Sequence, residues 1–225
     1  MFFIYNLFMD VMKVYKNLIF DFNGTLLDDC TLCLKILNVL CKKYNIKHVS
    51  KKYYKEIFTF PVINYYKTLG FDVSNDNFKK IGNEFHSMYN ELSYSEAKLF
   101  KNVKEILTKL KKSYTLICLS ASLKETLVKQ LKYYEIYDLF DYVVGLNDNM
   151  ANSKEQVAID FIKKENINPK ETLLIGDSLH DSEVASAINA SCVLIASGHT
   201  SKERLLKSNN DVIDKFTDLL KYLNN

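Results

Sequence analysis

The sequence predicts an α/β fold in which a parallel sheet is interrupted once by a long helical insertion. Short apolar runs at residues 18–20, 115–119 and 172–175 each stop at polar side chains, as buried parallel strands do. From residue 99 onward such runs alternate with segments of helical periodicity, which favours right-handed crossovers and a parallel sheet. Between residues 30 and 96 the alternation is absent, and apolar residues recur only at helical spacing.

The elements justify this fold in chain order. The first strand ends at Asp21, and the insertion then holds helical segments that break at Pro61 and Gly70. After the insertion the sequence predicts helices over 101–112, 122–134, 153–166, 181–189 and 214–223, and strands over 114–119, 142–144, 171–175 and 191–196. This assigns residues 12–29 and 97–225 to the α/β core and residues 30–96 to the helical unit, with hinges near Asp28 and Lys98. Residues 1–11 are interpreted as an N-terminal extension.

Composition favours a cytoplasmic enzyme. A chain of 225 residues, 48% hydrophobic, can bury one α/β core plus a small inserted unit. Its net charge of +3 is too small and too dispersed to indicate nucleic-acid binding. The apolar start is too short to span a bilayer and lacks the basic residues of a signal peptide, so no membrane association is expected.

The five cysteines are expected to be reduced and partly buried. Cys30 and Cys33 form a Cys-x-x-Cys pair, a spacing that also occurs in zinc and redox sites. No second pair and no histidine cluster lies near them in the sequence. The pair is therefore interpreted as structural.

The segment from Asp21 to Gly24 carries the strongest functional signal. A carboxylate that leaves the carboxyl end of a buried parallel strand lies where open α/β sheets bind their ligands. Asn23 and Gly24 follow it, and glycine would let the backbone turn sharply there and offer N–H groups to an anion. Asp28 and Asp29 come shortly afterwards and are expected to cap the next helix, with a water-bridged contact to the site as the alternative.

Three further segments complete the signal, in a fixed order. The second strand ends at Ser120, Lys154 opens a helix, and the third strand delivers Asp177 and Asp181. This ordered set of Asp, Ser, Lys and Gly-Asp-x-x-x-Asp resembles the four motifs of the haloacid dehalogenase superfamily. The insertion resembles the helical cap of its phosphoglycolate phosphatase branch, which implies a Rossmann-like parallel sheet core with an inserted α-helical cap domain.

The resemblance implies a phosphatase site. Asp21 would be the nucleophile that forms an aspartyl-phosphate, and Lys154 would balance the charge of Asp21 and the phosphoryl group. Mg²⁺, which prefers oxygen ligands, would be held by Asp21, Asp177 and the backbone carbonyl of Asn23. Asp181 would be a further ligand through water or a partner that fixes Lys154. The phosphate-binding set would be Gly24, Thr25, Ser120, Ala121 and Lys154.

One position departs from the family pattern. The family usually has a second Asp two residues after the nucleophile, which acts as general acid and base, and here that residue is Asn23. Loss of acid–base catalysis typically costs about 10²–10⁴ in rate. Three explanations stay open. The substrate could have a good leaving group that needs no acid, or His180 could act as the acid in place of the missing Asp. Deamidation of the Asn-Gly pair could also convert Asn23 to an Asp.

The sequence therefore predicts a Mg²⁺-dependent phosphatase for a small phosphorylated metabolite, such as phosphoglycolate or a sugar phosphate. Two alternatives stay open because of Asn23. One is a catalytically impaired protein with this fold that binds phosphate and has a regulatory role. The other is a phosphotransferase or dehalogenase with the same fold. The expected partner is the small-molecule substrate, with a monomer or a weak homodimer as the assembly.

Overall fold

A six-stranded parallel sheet forms the centre of the computed structural model, which describes residues 15–147 and 153–224. The chain contributes strands β1 (Asn17–Phe20), β2 (Leu27–Asp28), β3 (Lys98–Leu99), β4 (Thr115–Leu123), β5 (Tyr142–Leu146), β6 (Thr172–Gly176), β7 (Ser191–Ile195) and β8 (Asp211–Ile213). The order in the large sheet is β5-β4-β1-β6-β7-β8. Because β1 lies between β4 and β6, its carboxyl end is at the middle of one sheet edge. The predicted α/β fold class is confirmed.

Helices cover both faces of this sheet. They are α5 (Val103–Leu110), α6 (Lys124–Tyr133), α7 (Lys154–Lys164), α8 (Leu179–Ala187), α9 (Lys202–Leu205) and α10 (Leu219–Leu223). Side chains alternate along β1, so that Leu18 and Phe20 belong to one apolar cluster and Ile19 belongs to the other. Burial on both faces explains why the strands are continuous apolar runs.

Four helices occupy the predicted insertion, and we call residues 30–96 the helical insert. They are α1 (Cys30–Lys43), α2 (Lys51–Ile57), α3 (Val62–Leu69) and α4 (Asn75–Glu96). Strands β2 and β3 pair antiparallel where the chain enters and leaves the insert, with Asp28 opposite Lys98. Both predicted hinges therefore lie on one two-stranded ribbon. Apolar residues of α1 and α4 join the same cluster as one face of the sheet, so the insert packs on the core.

Strand β8 and helix α9 are not among the expected elements, and most boundaries differ from the expectation by one to a few residues. Strand β4 continues to Leu123, beyond the expected residue 119, and its pairing with β5 shifts register between Leu119 and Leu123. Helix α10 is shorter than expected, because residues 216–218 form a 3₁₀ turn before it. The interpretation of residues 1–11 lies outside the described residues. Across the described parts of the chain, no helix has both the length and the apolar character needed to cross a bilayer.

Candidate active site

The residues predicted to carry the chemistry meet at the carboxyl edge of the sheet. Asp21 follows β1 directly, and its backbone N–H donates to the Ile175 carbonyl at 2.9 Å. Asp177 follows β6 directly, and Ser120 lies in β4 two residues past the point where Cys118 pairs with Phe20. All three side chains are buried. Parallel pairing of β1 with β4 and β6 brings them to one edge.

Lys154 links two of these carboxylates. Its Nζ donates to Asp21 Oδ1 at 2.5 Å and to Asp181 Oδ1 at 2.6 Å. The lysine is the first residue of α7, and the side chain of the preceding Ser153 caps that helix by accepting from the Gln156 N–H. Only 5% of Lys154 is exposed. Its ammonium is therefore held by two charged hydrogen bonds inside the protein, which makes it a fixed cation beside Asp21.

Asp181 is held by the start of α8. Its Oδ2 accepts from the Ser178 hydroxyl at 2.7 Å, the Ser178 N–H at 3.0 Å and the Asp177 N–H at 3.2 Å, a capping box. Since Lys154 occupies Oδ1, both oxygens already have protein donors. The geometry favours the second of the two roles expected for Asp181, the partner that fixes Lys154.

Asp177 is oriented by two other segments. The His199 N–H donates to its Oδ2 at 2.5 Å, and Thr25 Oγ1 donates to its Oδ1 at 3.3 Å. Gly198 makes this approach possible, because a Cβ at that residue would overlap the Asp177 carboxyl group. The expected phosphate contact of Thr25 stays a prediction, since its hydroxyl donates to Asp177 in this structure.

The cluster fits a divalent cation. Oxygens of Asp21, Asp177 and Asp181 lie within 4.8 Å of one another, and all three residues are buried. Among the described residues, no hydrogen-bond donor lies on the Asn23 carbonyl oxygen, which leaves it available as the expected further ligand. Hard oxygen donors of this kind suit Mg²⁺.

The electrostatics of the cluster also call for a cation. Burial raises the pKa of Asp21 to about 8, although the Lys154 ammonium lowers it. Burial likewise raises the pKa of Asp177 to about 6; the His199 charge opposes this rise and the Asp181 charge adds to it. In Asp181, burial is outweighed by Lys154 and by the Ser178 hydrogen bonds, and the pKa falls below its usual value. Burial and mutual repulsion thus raise the pKa of Asp21 and Asp177, and a bound cation would favour the ionised form of both.

Asn23, at the position that departs from the family pattern, is tied to its surroundings through its side-chain amide. Its Nδ2 donates to Asp29 Oδ2 at 2.8 Å and approaches the Tyr89 hydroxyl at 2.7 Å. Its Oδ1 accepts from Ser122 Oγ at 3.3 Å. An amide serves this environment because Asp29 requires a donor, which an ionised carboxylate could not provide.

Asp29 does not have the expected role of a helix cap. Its side chain makes no capping hydrogen bond to α1. It accepts instead from the Gly24 N–H at 3.1 Å, Tyr89 Oη at 2.6 Å and His199 Nε2 at 3.0 Å, in addition to Asn23. Burial alone would raise its pKa, but the His199 charge and these donors outweigh burial and lower it. The loop after β1 surrounds this carboxylate, since the Gly24 N–H and the Asn23 amide of that loop both donate to it.

His199 connects the core to the helical insert. Its Nε2 meets Asp29 and its Nδ1 lies 2.8 Å from Tyr54 Oη of α2. Burial lowers the pKa of His199, but the Asp29 charge prevails and holds it well above the usual value. The aromatic ring of Phe58 stacks on the imidazole at 5.0 Å. The Asp29 carboxylate therefore favours the protonated form of this enclosed imidazole.

The other predicted residues are placed as follows. Gly24 adopts a φ of +78°, as its turn requires, and its N–H donates to the Leu27 carbonyl and to Asp29. Ser120 Oγ accepts from the Ser122 N–H at 3.1 Å, and Ala121 is exposed. Their phosphate contacts stay predictions. His180 pairs with Glu183 at 3.1 Å and stacks on Phe60, which indicates a structural role on α8.

Sequence reasoning missed His199, Tyr54 and Tyr89 as members of this site. His199 follows Gly198 just after the apolar run of β7, so a strand-end polar residue beside a glycine was a usable signal. The two tyrosines lie on α2 and α4 at helical spacing, a pattern that equally fits buried helix packing. No local feature of the sequence distinguishes them.

Comparison with known proteins is consistent with this geometry. No curated protein sequence matches the chain. A haloacid dehalogenase-like family hydrolase from Streptococcus pneumoniae superposes with a TM-score of 0.79 at 23% identity, covering 92% of this chain and 98% of that one. A predicted phosphatase from Clostridium acetobutylicum gives 0.79 at 20% identity, covering 93% and 98%. A predicted phosphoglycolate phosphatase from Haemophilus somnus gives 0.73 at 23% identity, covering 92% and 97%.

Such identities establish a shared fold. The family itself is shown by a sequence model, because the model of the haloacid dehalogenase-like hydrolases matches residues 18–195. That span contains Asp21, Ser120, Lys154, Asp177 and Asp181, the residues from which the resemblance was first inferred. The chain therefore belongs to the haloacid dehalogenase-like hydrolase family.

Proposed function

We propose that this hydrolase is a Mg²⁺-dependent phosphomonoesterase that acts on a small phosphorylated metabolite through an aspartyl-phosphate on Asp21. The observation that carries the proposal is the buried Asp21–Lys154–Asp181 chain beside Asp177. A nucleophilic carboxylate, a fixed ammonium and a set of oxygen ligands for a cation are the groups that phosphoryl transfer requires. Bound Mg²⁺ would supply charge neutralisation at Asp21, Asp177 and the Asn23 carbonyl.

Asp21 begins the reaction. One of its carboxylate oxygens forms a bond to phosphorus while the bond from phosphorus to the ester oxygen breaks, and the leaving oxygen takes a proton from solvent water. Lys154 holds the other carboxylate oxygen and faces the charge that develops on the phosphoryl group. Water then cleaves the aspartyl-phosphate, which releases inorganic phosphate and restores Asp21. Lys154 needs no movement for this, because Asp181 fixes it from the opposite side.

Neither of the two residues considered as the acid is placed to give the leaving group a proton. Asn23 cannot supply one, because an amide does not titrate in this range, and its side chain is engaged with Asp29, Tyr89 and Ser122. His180, the candidate from the sequence, is directed to Glu183. The site is accordingly best suited to substrates whose leaving groups depart with little protonation.

The helical insert favours a small substrate. Tyr54 of α2 and Tyr89 of α4 reach the core side chains His199 and Asp29, so the insert lies over the carboxyl edge of the sheet. A cleft of about 60 Å³ lies between the 58–60 loop of the insert and His180 of α8. The larger surface depression, about 690 Å³, is lined by residues 99–112 and by none of the site residues. A bulky macromolecular phosphoester would have to displace the insert.

The nucleophile is tested with Asp21→Asn and an aryl phosphate. The variant should lose turnover, and acid-quenched wild-type protein should carry phosphate on Asp21 by mass spectrometry. Asp160→Asn, an exposed aspartate on α7, is the matched control and should retain full activity. A folded Asp21→Asn variant that turns over near the wild-type rate would refute the mechanism.

The cation is tested by chelation. EDTA should abolish turnover and Mg²⁺ should restore it, whereas Ca²⁺ should restore it poorly because it prefers more ligands at longer distances. Direct titration calorimetry should show one Mg²⁺ site that weakens in Asp177→Asn and is unchanged in Asp160→Asn. Turnover indifferent to EDTA would contradict the assignment.

A second candidate, a phosphate-binding protein with impaired catalysis, is supported by the engaged amide of Asn23. It predicts tight binding of phosphate or vanadate with no turnover of any phosphate ester, aryl esters included. A panel of phosphorylated metabolites and aryl phosphates, assayed for both binding and release of phosphate, separates the two candidates.

A further inference from the structure

A second cluster of metal-ligating side chains lies beside the first and shares no residue with it. Asp29, Cys33 and His199 are all buried, and one ligand atom from each lies within 4.8 Å of the others. His199 Nε2 is 3.0 Å from Asp29 Oδ1, and Cys33 Sγ is 3.8 Å from Asp29 Oδ2. We call these three residues the Asp–Cys–His cluster. Residues from three segments thus converge on one enclosed point.

The outer contacts of the cluster are those of a metal site. A histidine that binds a metal through one ring nitrogen usually directs the other to a hydrogen-bond partner. Here Nδ1 of His199 lies 2.8 Å from Tyr54 Oη, which fixes the ring with Nε2 facing Asp29 and Cys33. Donors from Asn23 and Tyr89 hold Asp29 Oδ2, and a bound cation would take the place of the proton that His199 Nε2 shares with Oδ1.

The geometry gives one cysteine of the Cys-x-x-Cys pair, Cys33, a histidine neighbour. In the sequence no histidine accompanies Cys30 and Cys33, but the fold brings His199 to the same turn of α1. Cys30 is buried on the same helix, but its sulfur is not among the ligand atoms that lie within 4.8 Å of one another. The described residues therefore supply three ligands to the cluster.

The ligand types select the ion. A thiolate and an imidazole are poor ligands for Mg²⁺, whereas sulfur, nitrogen and one carboxylate oxygen in a four-coordinate site suit Zn²⁺. We propose that the Asp–Cys–His cluster is a Zn²⁺ site that joins α1 of the helical insert to the loop after β7 of the core. The inference does not depend on the phosphatase activity, because none of its three ligands is part of the Asp21–Lys154–Asp181 chain.

Cobalt spectroscopy tests the proposal without reference to activity. Reduced, EDTA-treated wild-type protein is titrated with Co²⁺, and a thiolate ligand should produce a charge-transfer band in the near ultraviolet. Co²⁺ at the all-carboxylate cluster gives no such band, so the two sites are separable. Zn²⁺ should then bleach the band by displacing Co²⁺.

Two variants and a matched control locate the site. Cys33→Ser should lose the band, whereas Cys41→Ser, which removes another buried thiol of α1, should retain it. Tyr54→Phe leaves all three ligands in place and should weaken Zn²⁺ binding about 10–100-fold by removing the partner of Nδ1. This second variant keeps the test decisive if Cys33→Ser does not fold.

A wild-type protein that shows no thiolate band with saturating Co²⁺ would overturn the proposal, and so would a band that survives in Cys33→Ser. In that case the cluster is held by the charged His199–Asp29 pair alone. Loss of Zn²⁺ binding and loss of phosphatase activity are measured separately, so failure of one leaves the other standing.

Discussion

Replacing Asn23 by Asp restores the residue usual in the family, and the structure predicts a specific cost. Asn23 Nδ2 donates to Asp29 Oδ2 at 2.8 Å, so Asn23→Asp sets two carboxylates at that separation in place of a hydrogen bond. Two unit charges at this distance repel by up to about 6 kcal/mol at an effective dielectric constant of about 20. The protein can avoid this repulsion only by holding a proton on the pair.

The free energy needed to keep that proton bound sets the upper limit of the destabilisation by Asn23→Asp. Keeping an Asp with an ordinary pKa of about 3.9 protonated costs about 1.4 kcal/mol for each pH unit above that value. The limit is therefore about 5 kcal/mol at pH 7.5 and about 1.5 kcal/mol at pH 5.0. The folded-state pKa of the new carboxyl is raised, so its destabilisation grows as pH rises and shrinks as pH falls.

Urea denaturation followed by circular dichroism measures the effect, since the chain has no tryptophan to report fluorescence. Experiments contain EDTA so that no cation neutralises the pair. Asn23→Ala is the matched control: it loses the same amide but adds no charge, and its destabilisation should be nearly equal at both pH values. The Asp variant should lose at least about 2 kcal/mol more at pH 7.5 than at pH 5.0.

Equal pH dependence of the Asp and Ala variants would refute this reasoning. It would mean that the new carboxyl turns away from Asp29, and that the enclosed contact between residues 23 and 29 does not exist. The same result would remove the structural explanation for asparagine at this position.

Three further predictions concern the same region. His199→Gln should be less stable than wild type, because the folded-state pKa of His199 is raised. The difference in unfolding free energy should be full below about pH 6.5 and decline by up to about 1.4 kcal/mol per pH unit above it. Denaturation in EDTA from pH 5.5 to 9 measures this difference, and a value that does not change with pH would contradict the charged pair. Mg²⁺ affinity should fall by up to about tenfold per pH unit below pH 8, because Asp21, with its pKa raised to about 8, holds a proton that the cation must displace. A Mg²⁺ affinity that calorimetry finds independent of pH would contradict this prediction. Gly198→Ala should weaken Mg²⁺ binding at least about tenfold, because the new Cβ would push the Asp177 carboxyl group aside. Gly82→Ala on α4 is the control and should leave Mg²⁺ binding unchanged, since a Cβ there meets nothing within 4 Å. Equal Mg²⁺ affinities of the two variants would show that Asp177 relaxes freely.

The sequence by itself determined the fold class and the residues of the first carboxylate cluster. Asp21, Ser120 and Asp177 each terminate a buried apolar run or follow one directly, and parallel strands deliver their carboxyl ends to one sheet edge whatever the remaining packing. Lys154 opens a helix between these strands, and its assignment followed from the order of the four motifs that resemble the haloacid dehalogenase superfamily. Local periodicity and the rule of parallel crossovers therefore placed the strand ends together, whereas the roles of these residues were implied by the resemblance to the haloacid dehalogenase motifs.

Only the tertiary structure decided what surrounds Asn23. Asp29 has the sequence of a helix cap, yet it is buried against His199, which lies 170 residues further along the chain. Tyr54 meets the same imidazole across a separation of 145 residues. Such contacts depend on how the helical insert sits on the core, and helical spacing specifies which side chains are buried but not which partners they meet. The Asp–Cys–His cluster follows from that packing, because its ligands come from segments that share no local pattern.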